Sequence, residues 1–355
     1  MTPAAPFDPS GVSRVVVRPP NWLGDAVLAL PALAAIRAYF AQAHLTIAAP
    51  AAVAALFREE TDAKPDLVLE LPEGSSAVVA TLAAGRFDLG ILLPNSFRST
   101  WQLYRARVGA RWGYATAGRG LLLTRRVSTR TRRASRHQAD YYRGLVAGLG
   151  IPCDPARPPA LSPSAASAAR AAALLSERGV PASAPLVALA PGAAYGPAKQ
   201  WAPARMAELA ARLVAERGAT CVVLGATHDR PAAHAIESWL RAHAPQTAAG
   251  VIDLVGRTSL GALVGVAARS AVFVSNDSGA MHVAAAVGRP VVAIFGPTDE
   301  RGTRPLGDHD VITARVFCRP CMLRECPIDH RCMKRISVAA VFEAVAARLV
   351  RRAGE

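Results

Sequence analysis

The chain has 355 residues, of which 52% are hydrophobic and 19% are charged, and it carries a formal charge of +15. Domains typically contain ~100–200 residues, so the length favours two folded domains, and the composition excludes a disordered chain. No stretch reaches the ~18 uninterrupted apolar residues that crossing a bilayer requires, and the first residues lack the pattern of a secretion signal. We therefore expect a folded protein of the cytoplasm.

The first part of the chain alternates apolar runs with helical patterns. Runs of strand length are RVVVR at 14–18, HLTIAAP at 44–50, LVLEL at 67–71 and DLGILLP at 88–94, and a helical pattern after the first run extends to Tyr39. Strands that alternate with helices predict parallel βαβ units.

Gly24 and Asp25 stand alone in the turn after the first run, where a nucleotide-binding turn has several glycines. Asp25 can be the N-cap of the following helix or a chemical group that faces a ligand. This turn therefore does not predict a phosphate-binding loop.

The excess positive charge is concentrated in residues 98–143, which contain twelve arginines and one acidic residue, Asp140. Codon usage explains the preference for arginine over lysine, of which the chain has only three. It does not explain the loss of acidic residues from this one region. The region therefore predicts an anionic partner.

Proline and serine become frequent from Ile151, which marks a boundary. A second series of apolar runs follows it, LVALAPG, TCVVLGA, VIDLVG, AVFVS and VVAIFGP, and the chain ends on a helical pattern with Ser337 as its N-cap. We predict an α/β protein of two doubly wound, Rossmann-like domains, 1–160 and 161–336, facing a central cleft. For the C-terminal helix, 337–355, the sequence leaves open a return to the N-terminal domain.

The loop after LVALA reads PGAAYGPAKQW and contains Lys199, which could neutralise a diphosphate. It lacks the pattern of a P-loop ATPase, which excludes that class. We expect Trp201 to pack in the core rather than to stack on a base.

The segment AVFVSNDSGAMHVAAAV predicts a strand, a turn and a helix start, where backbone N–H groups and the helix dipole favour an anion. Gly279 permits close approach, Ser278 can donate to a phosphoryl oxygen, and Asp277 can accept from a sugar hydroxyl or fix the turn. His282 stands in the first helical turn. Ordinary capping and a buried histidine are the alternatives, but the four residues together favour a phosphate ligand.

Four of the six cysteines fall within fifteen residues with the spacing C-x2-C-x4-C-x5-C; they are Cys318, Cys321, Cys326 and Cys332. Their number fits a structural zinc or an iron–sulfur site, although the spacing is not that of a paired zinc knuckle. The alternative is a set of reduced thiols in a compact loop.

Five segments of the chain are NWLGDAVLALPAL, LPNSFRS, PGAAYGPAKQW, SNDSGAMHVAAAVGRPVVAIFGPTD and CRPCMLRECPIDHRCM. Together they resemble the motifs of the lipopolysaccharide heptosyltransferase family, most of all those of its type II members, and they occur in the same order along the chain. The resemblance implies a GT-B glycosyltransferase that moves L-glycero-D-manno-heptose from ADP-heptose, with inversion, onto the first heptose of the lipopolysaccharide inner core. The implied acceptor is a heptosyl-Kdo2-lipid A, which the enzyme would meet as a peripheral protein at the cytoplasmic surface of the inner membrane.

The resemblance also implies roles for single residues. Asp25 falls on the general base, and the donor-binding positions are Lys199, Asp277, Ser278, Gly279 and His282. Lys199 and the helix start would hold the departing diphosphate, so no cofactor or catalytic metal is expected. This agrees with the lack of a convincing DxD pair.

On the acceptor side, the arginine-rich region suits the phosphates and Kdo carboxylates of the inner core. We expect Arg98 to contact the acceptor, with Gly24, Asn95 and Ser96 near it. Weaker candidates are Arg132, Arg133 and Arg136.

Two other functions stay open. One is a heptosyltransferase of type I or III, which acts on a neighbouring core acceptor. The other is a nucleic-acid-binding protein with a basic arm and a cysteine-rich metal module, which the aromatic residues among the arginines would suit. That alternative leaves the phosphate-binding turn unexplained, so we expect no nucleic acid as partner.

Overall fold

The computed structural model describes residues 7–128, 137–181 and 183–353. The chain divides between Leu161 and Ser162 into two compact units, each built on a six-stranded parallel sheet. No helix in these described ranges is long and apolar enough to cross a membrane.

The first unit alternates strands and helices as the sequence predicts. Its strands are β1 (Arg14–Arg18), β2 (His44–Pro50), β3 (Glu60–Thr61), β4 (Leu67–Leu71), β5 (Leu89–Leu92), β6 (Ala110–Tyr114) and β7 (Arg125–Val127). Its helices are α1 (Leu23–Leu28), α2 (Leu30–Tyr39), α3 (Ala51–Ala54), α4 (Ser75–Ala84), α5 (Phe97–Arg105) and α6 (Gln138–Gly148). The sheet order is β4-β2-β1-β5-β6-β7, and the short β3 pairs with β8 (Leu161–Ser162).

Strand β1 lies in the middle of this sheet, between β2 and β5. Its central residues Val15, Val16 and Val17 are fully buried, as expected for a parallel strand covered on both faces. The chain leaves β1 toward β2 on one side and returns to β5 on the other. The loops after β1 and β5 therefore lie side by side at the topological switch point of the sheet.

The helical pattern after β1 forms two helices rather than the single predicted one. α1 ends before Ala29, and α2 begins at Leu30 with Pro31 at its second position. Proline has no N–H to donate, and none is needed in the first turn of a helix, so Pro31 suits the start of α2 and not the interior of one longer helix.

The second unit repeats the arrangement. Its strands are β9 (Leu186–Ala190), β10 (Thr220–Val223), β11 (Val251–Asp253), β12 (Val272–Asn276), β13 (Val291–Phe295) and β14 (His309–Thr313). Its helices are α7 (Ala165–Glu177), α8 (Pro203–Arg217), α9 (Arg230–His243), α10 (Leu260–Arg269), α11 (Gly279–Ala286), α12 (Glu300–Thr303), α13 (Arg331–Lys334) and α14 (Val338–Ala353). The order β11-β10-β9-β12-β13-β14 puts the switch point between β9 and β12.

Apolar residues cover both faces of this second sheet. In β9, Val187 and Leu189 join one buried cluster, while Ala188 and Ala190 join the other. This alternation is that of a strand whose successive side chains point to opposite faces. The second unit is thus doubly wound, as predicted.

The C-terminal helix α14 packs on the core of the second unit, where the sequence left open a return to the N-terminal domain. Val341, Phe342 and Val345 of α14 are buried in the same cluster as Trp201. The helix starts as predicted, because the Ser337 hydroxyl oxygen accepts a hydrogen bond from the Ala340 amide at 3.2 Å.

Candidate active site

The predicted donor residues lie in the second unit, at the switch point between β9 and β12. Lys199 closes the loop after β9, and its Nζ lies 2.5 Å from Oδ2 of Asp277, which directly follows β12. Thr298 Oγ1 donates to the same carboxylate oxygen at 2.7 Å. The Lys199 and Asp277 side chains are only 11% and 5% exposed. A largely buried lysine is therefore held by a fixed, buried carboxylate at the edge where ligands of such sheets bind.

The helix start behind this ion pair is open to an anion. Ser278 occupies the N-cap position of α11, yet its side chain makes no capping hydrogen bond, and its hydroxyl lies 3.0 Å from Ser275 Oγ instead. Ordinary capping therefore does not describe this hydroxyl. Gly279 opens the helix, and His282 is buried in the first turn. The N–H groups at such a helix start, together with the helix dipole, favour a phosphate.

Asn276, the last residue of β12, is hydrogen-bonded to the loop after β9 at two points. Its Oδ1 accepts from the Trp201 amide at 3.1 Å, and its Nδ2 donates to the Pro191 carbonyl at 2.6 Å. Trp201 is fully buried, and its indole N–H donates to the Ile336 carbonyl at 3.2 Å. Trp201 is thus a packing residue, as predicted, and Asn276 fixes the path of the loop that carries Lys199.

The cysteine-rich segment forms hydrogen bonds with the loop that carries Lys199, which we call the lysine loop. The Ala198 amide donates to the Arg324 carbonyl at 3.0 Å, and the Tyr195 hydroxyl donates to the Met322 carbonyl at 2.7 Å. A Cβ at Gly196 would stand 2.5 Å from the Arg324 carbonyl oxygen, so only glycine permits this close approach. The position of Lys199 therefore depends on the segment that contains the cysteines.

Four cysteines of that segment line one small cavity of about 20 Å³ together with His330; they are Cys318, Cys321, Cys326 and Cys332. Burial raises the pKa of the Cys332 thiol. Within the described ranges, no three His, Cys, Asp or Glu side chains are arranged to hold a metal ion as they stand. The structural metal stays a prediction.

In the first unit, Asp25 is not the N-cap of α1. Trp22 holds that position, and Asp25 is the third residue of the helix, so the capping interpretation is wrong. The Asp25 side chain hydrogen-bonds the hydroxyl of Tyr142, to which Gln138 Nε2 also donates at 2.9 Å. Burial raises the pKa of Tyr142 further above its ordinary value, so its hydroxyl stays protonated and can donate to the carboxylate.

The neighbouring residue of α6 holds the loop after β5. Tyr141 donates its hydroxyl to Asn95 Oδ1 at 2.8 Å, and Thr116 Oγ1 lies 3.4 Å from the same oxygen. Consecutive tyrosines of one helix thus bind two predicted site residues, Asp25 in α1 and Asn95 in the loop after β5. Ser96 caps α5, because its hydroxyl oxygen accepts from the Ser99 amide at 3.2 Å.

The described arginines of the arginine-rich region include both exposed and buried side chains. Arg98 is exposed on α5, where a ligand can reach it. Arg119 is fully buried and donates to the Tyr114 carbonyl at 2.8 Å and to the Pro94 carbonyl; burial lowers its pKa to about 10. Arg143 is also buried and pairs with Asp140 at 2.8 Å. These two arginines stabilise the fold. Arg132, Arg133 and Arg136 lie outside the described residues.

The sequence interpretation missed the residues that hold the site in place. They are Thr298, Asn276, Tyr141, Tyr142 and Gln138. Thr298 belongs to the segment FGPTD, which follows β13, and its place after a strand was a usable signal. The tyrosines gave none, because α6 begins more than 100 residues after Asp25 in the chain.

Comparison with known proteins agrees with this geometry. Residues 76–331 match the family model described as glycosyltransferase family 9 (heptosyltransferase). The chain is 31% identical to lipopolysaccharide heptosyltransferase 2 of Escherichia coli (strain K12) and 30% identical to that of Salmonella typhimurium LT2, in each case over 82% of this chain and 85% of the relative.

Two solved structures share the fold. The E. coli ADP-heptose LPS heptosyltransferase II is similar with a TM-score of 0.81 at 26% identity, over 96% of this chain and 99% of that one. The glycosyltransferase family 9 protein of Veillonella parvula is similar with a TM-score of 0.82 at 21% identity, over 98% and 99%.

Two doubly wound α/β units and the similarity to a heptosyltransferase II structure define the GT-B fold class, and the family match makes the chain a glycosyltransferase. The chain belongs to glycosyltransferase family 9. The predicted family, fold class and enzyme class are thereby confirmed, and the nucleic-acid-binding alternative is not favoured.

Proposed function

We propose that this protein is an inverting heptosyltransferase II, which transfers L-glycero-D-manno-heptose from ADP-heptose to the first heptose of the lipopolysaccharide inner core. The donor half of the proposal is supported by the partly buried Lys199–Asp277 pair beside the start of α11. The names of the relatives at 30% and 31% identity support the acceptor half.

In the proposed reaction, the second unit stabilises the leaving group. The bond between the anomeric carbon and the diphosphate oxygen breaks, and its electron pair stays with ADP. Positive charge on Lys199 and the N–H groups at Ser278 and Gly279 offset the charge that develops on the diphosphate. These groups supply the stabilisation that a divalent ion would otherwise give, so the proposal includes no catalytic metal.

Asp25 acts as the general base on the acceptor. It takes the proton of the attacking hydroxyl while the new glycosidic bond forms on the face of the sugar opposite to ADP, which inverts the anomeric centre. The hydrogen bond from Tyr142 favours the ionised carboxylate that a base must be. Gly24, Asn95, Ser96 and Arg98 would border the acceptor.

The acceptor proposed here is a glycolipid with phosphates and Kdo carboxylates, met at the cytoplasmic surface of the inner membrane by a peripheral enzyme. Exposed arginines of the first unit, Arg98 among them, complement such an anionic substrate.

Transfer assays with a series of truncated acceptors test this function. ADP release and product mass are measured with Kdo2-lipid A that carries no heptose, one heptose or two. We expect activity on the acceptor with one heptose. Activity only on the heptose-free acceptor would indicate type I, and activity only on the acceptor with two would indicate type III.

The variant Asp25→Asn tests the base. We expect its kcat to fall by a factor of at least about 10²–10⁴, the usual contribution of a general base, while ADP-heptose binding measured by calorimetry stays unchanged. Asp62→Asn, which removes an exposed carboxylate paired with Arg157 in the same unit, is the matched control. Near-normal transfer by Asp25→Asn with intact donor binding would disprove the assignment.

A further inference from the structure

An exposed aromatic face on helix α5 has no role in the site described above. Phe97, Trp101 and Tyr104 are 47%, 38% and 46% exposed. Their spacing puts them on one side of the helix. We call these three residues the aromatic ridge.

The ridge is a continuous stack rather than three separate side chains. The ring centroids of Phe97 and Trp101 lie 6.3 Å apart, and those of Trp101 and Tyr104 lie 5.6 Å apart, with the rings close to parallel in both pairs. The opposite side of α5 is buried through Ser99 and Gln102, and Leu103 beside them is buried as well. The helix is therefore anchored by one side and presents a flat aromatic surface on the other.

Arginines surround the ridge. The Arg105 guanidinium lies 5.6 Å from the Trp101 ring centroid, and that of Arg111 lies 5.4 Å from the Tyr104 ring centroid. Arg107 is exposed beside them. Residues 97–128 contain seven arginines and no acidic residue. The surface thus joins apolar rings to positive charge that no acid of that segment offsets.

We propose that the aromatic ridge and its arginines bind the headgroup layer of a bilayer that contains anionic phospholipids. Trp and Tyr rings are enriched at this depth of a membrane, because they are apolar but carry one polar group. Arginine near an anionic leaflet adds about 1 kcal/mol for each residue. A partner protein of ordinary composition would not require such a complete lack of acidic residues along the segment.

The inference rests on the proposed function, since an enzyme that modifies a membrane glycolipid needs a way to meet its substrate. α5 follows directly on Asn95 and Ser96, so the ridge would hold the acceptor side of the first unit at the membrane surface. In this proposal the ridge binds the enzyme to the membrane surface, and Asp25 acts as the base in the reaction.

Vesicle co-sedimentation tests the proposal without any transferase assay. The full-length protein is mixed with phosphatidylcholine vesicles that contain either no phosphatidylglycerol or about one third of it, at low and at physiological salt. We expect binding to the anionic vesicles that weakens as salt rises, and at least tenfold weaker binding to the neutral vesicles.

The triple variant F97S/W101S/Y104S removes the rings, and we expect its partition onto anionic vesicles to fall at least tenfold. Phe317→Ser is the matched control: Phe317 is 80% exposed in the second unit, with the Arg331 guanidinium 4.9 Å from its ring centroid. We expect this control to bind vesicles as the unaltered protein does.

A second variant keeps the rings and removes charge. R105A/R107A is expected to bind anionic vesicles about 30-fold more weakly, from about 1 kcal/mol for each arginine. R170A/R178A removes two exposed arginines of the second unit and is the control. Transfer to a deacylated, soluble acceptor reports on folding and chemistry apart from membrane binding.

The results separate this inference from the proposed function. Loss of vesicle binding in both ridge variants but in neither control supports the inference, whatever the transferase assay shows. Failure of the unaltered protein to bind anionic vesicles overturns it, as does equal binding by the triple variant. Binding to duplex nucleic acid instead of vesicles, lost in the same variants, would assign the surface to a different partner.

Discussion

Tyr142 connects the proposed base to the body of the first unit. It is buried, receives a hydrogen bond from Gln138 and hydrogen-bonds Asp25. A carboxylate that accepts such a bond is favoured in its charged form, and its orientation is fixed at the same time. Tyr142 is therefore a positioning residue for the chemistry.

We predict that Tyr142→Phe lowers kcat/KM by about tenfold, since hydrogen bonds to charged groups contribute about 1.5–3 kcal/mol. Without this donor the Asp25 carboxylate takes up its proton at higher pH. The acid limb of the pH profile of kcat/KM should therefore move to higher pH, which a purely structural role would not cause. Tyr39→Phe is the control, because the Tyr39 hydroxyl donates to the Phe7 carbonyl elsewhere in the same unit. An unmoved acid limb would contradict the prediction.

We propose two roles for the Lys199–Asp277 pair, in stability and in donor binding, and the two can be measured separately. Lys199→Met leaves the buried Asp277 without its cation, which typically costs about 3–5 kcal/mol of unfolding free energy. We expect this variant to lose both stability, measured by chemical denaturation, and ADP-heptose affinity, measured by calorimetry.

The double variant K199M/D277N removes both charges and is expected to recover most of the stability but none of the donor affinity. Lys199→Arg keeps the charge and is the control for both measurements. Recovery of donor binding in the double variant would show that Lys199 does not contact the diphosphate.

At the scale of elements, the sequence predicts every strand of the two six-stranded sheets except β6, β7 and β14, which lie toward one side of their sheets. β1, β5, β9, β12 and β13 are apolar runs, because both of their faces are covered. β14 reads HDVIT, with four half-buried residues and one exposed, and β7 is a three-residue edge strand in the arginine-rich region. Edge strands are covered less, so their sequences need no apolar run.

The same limit applies to the site. The glycine and serine at the start of α11 follow from local rules for helix starts, so the sequence is enough to predict this turn. The partners of the turn come from distant segments: Thr298 reaches Asp277, and Trp201 reaches Asn276, only once the sheet has formed. No local pattern encodes such contacts.

The residues between β14 and α13 contain three of the four clustered cysteines and form no helix or strand, yet they support the lysine loop; the fourth, Cys332, lies in α13. Long segments without secondary structure need other contacts to stay ordered. If the four thiols hold a structural metal, we predict either one equivalent of zinc or the two or four irons of an iron–sulfur cluster in protein purified under reducing conditions, measured by elemental analysis. Cys326→Ser should lose this metal, and Cys153→Ser, outside the segment, should retain it. Less than a tenth of an equivalent, before and after reconstitution, would disprove the metal site.

For the whole molecule, the charged groups proposed to bind the two substrates differ in their exposure to solvent. The proposed donor site contains Lys199, whose side chain is only 11% exposed, whereas the basic surface of the first unit contains exposed arginines such as Arg98. Salt screens exposed charges strongly and buried ones much less. The two substrates should therefore respond differently to ionic strength.

We predict that the KM for the anionic glycolipid acceptor rises several-fold between about 0.05 and 0.3 M NaCl, a range over which the Debye length falls well below 10 Å. The KM for ADP-heptose should change far less over the same range, because its diphosphate is held by partly buried groups. Both constants are measured with a deacylated acceptor, so that membrane binding does not enter. Arg98→Ala should flatten the acceptor's dependence on salt, whereas Arg170→Ala, in the second unit, should leave it unchanged. Equal salt dependence for both substrates would show that the basic surface does not bind the acceptor.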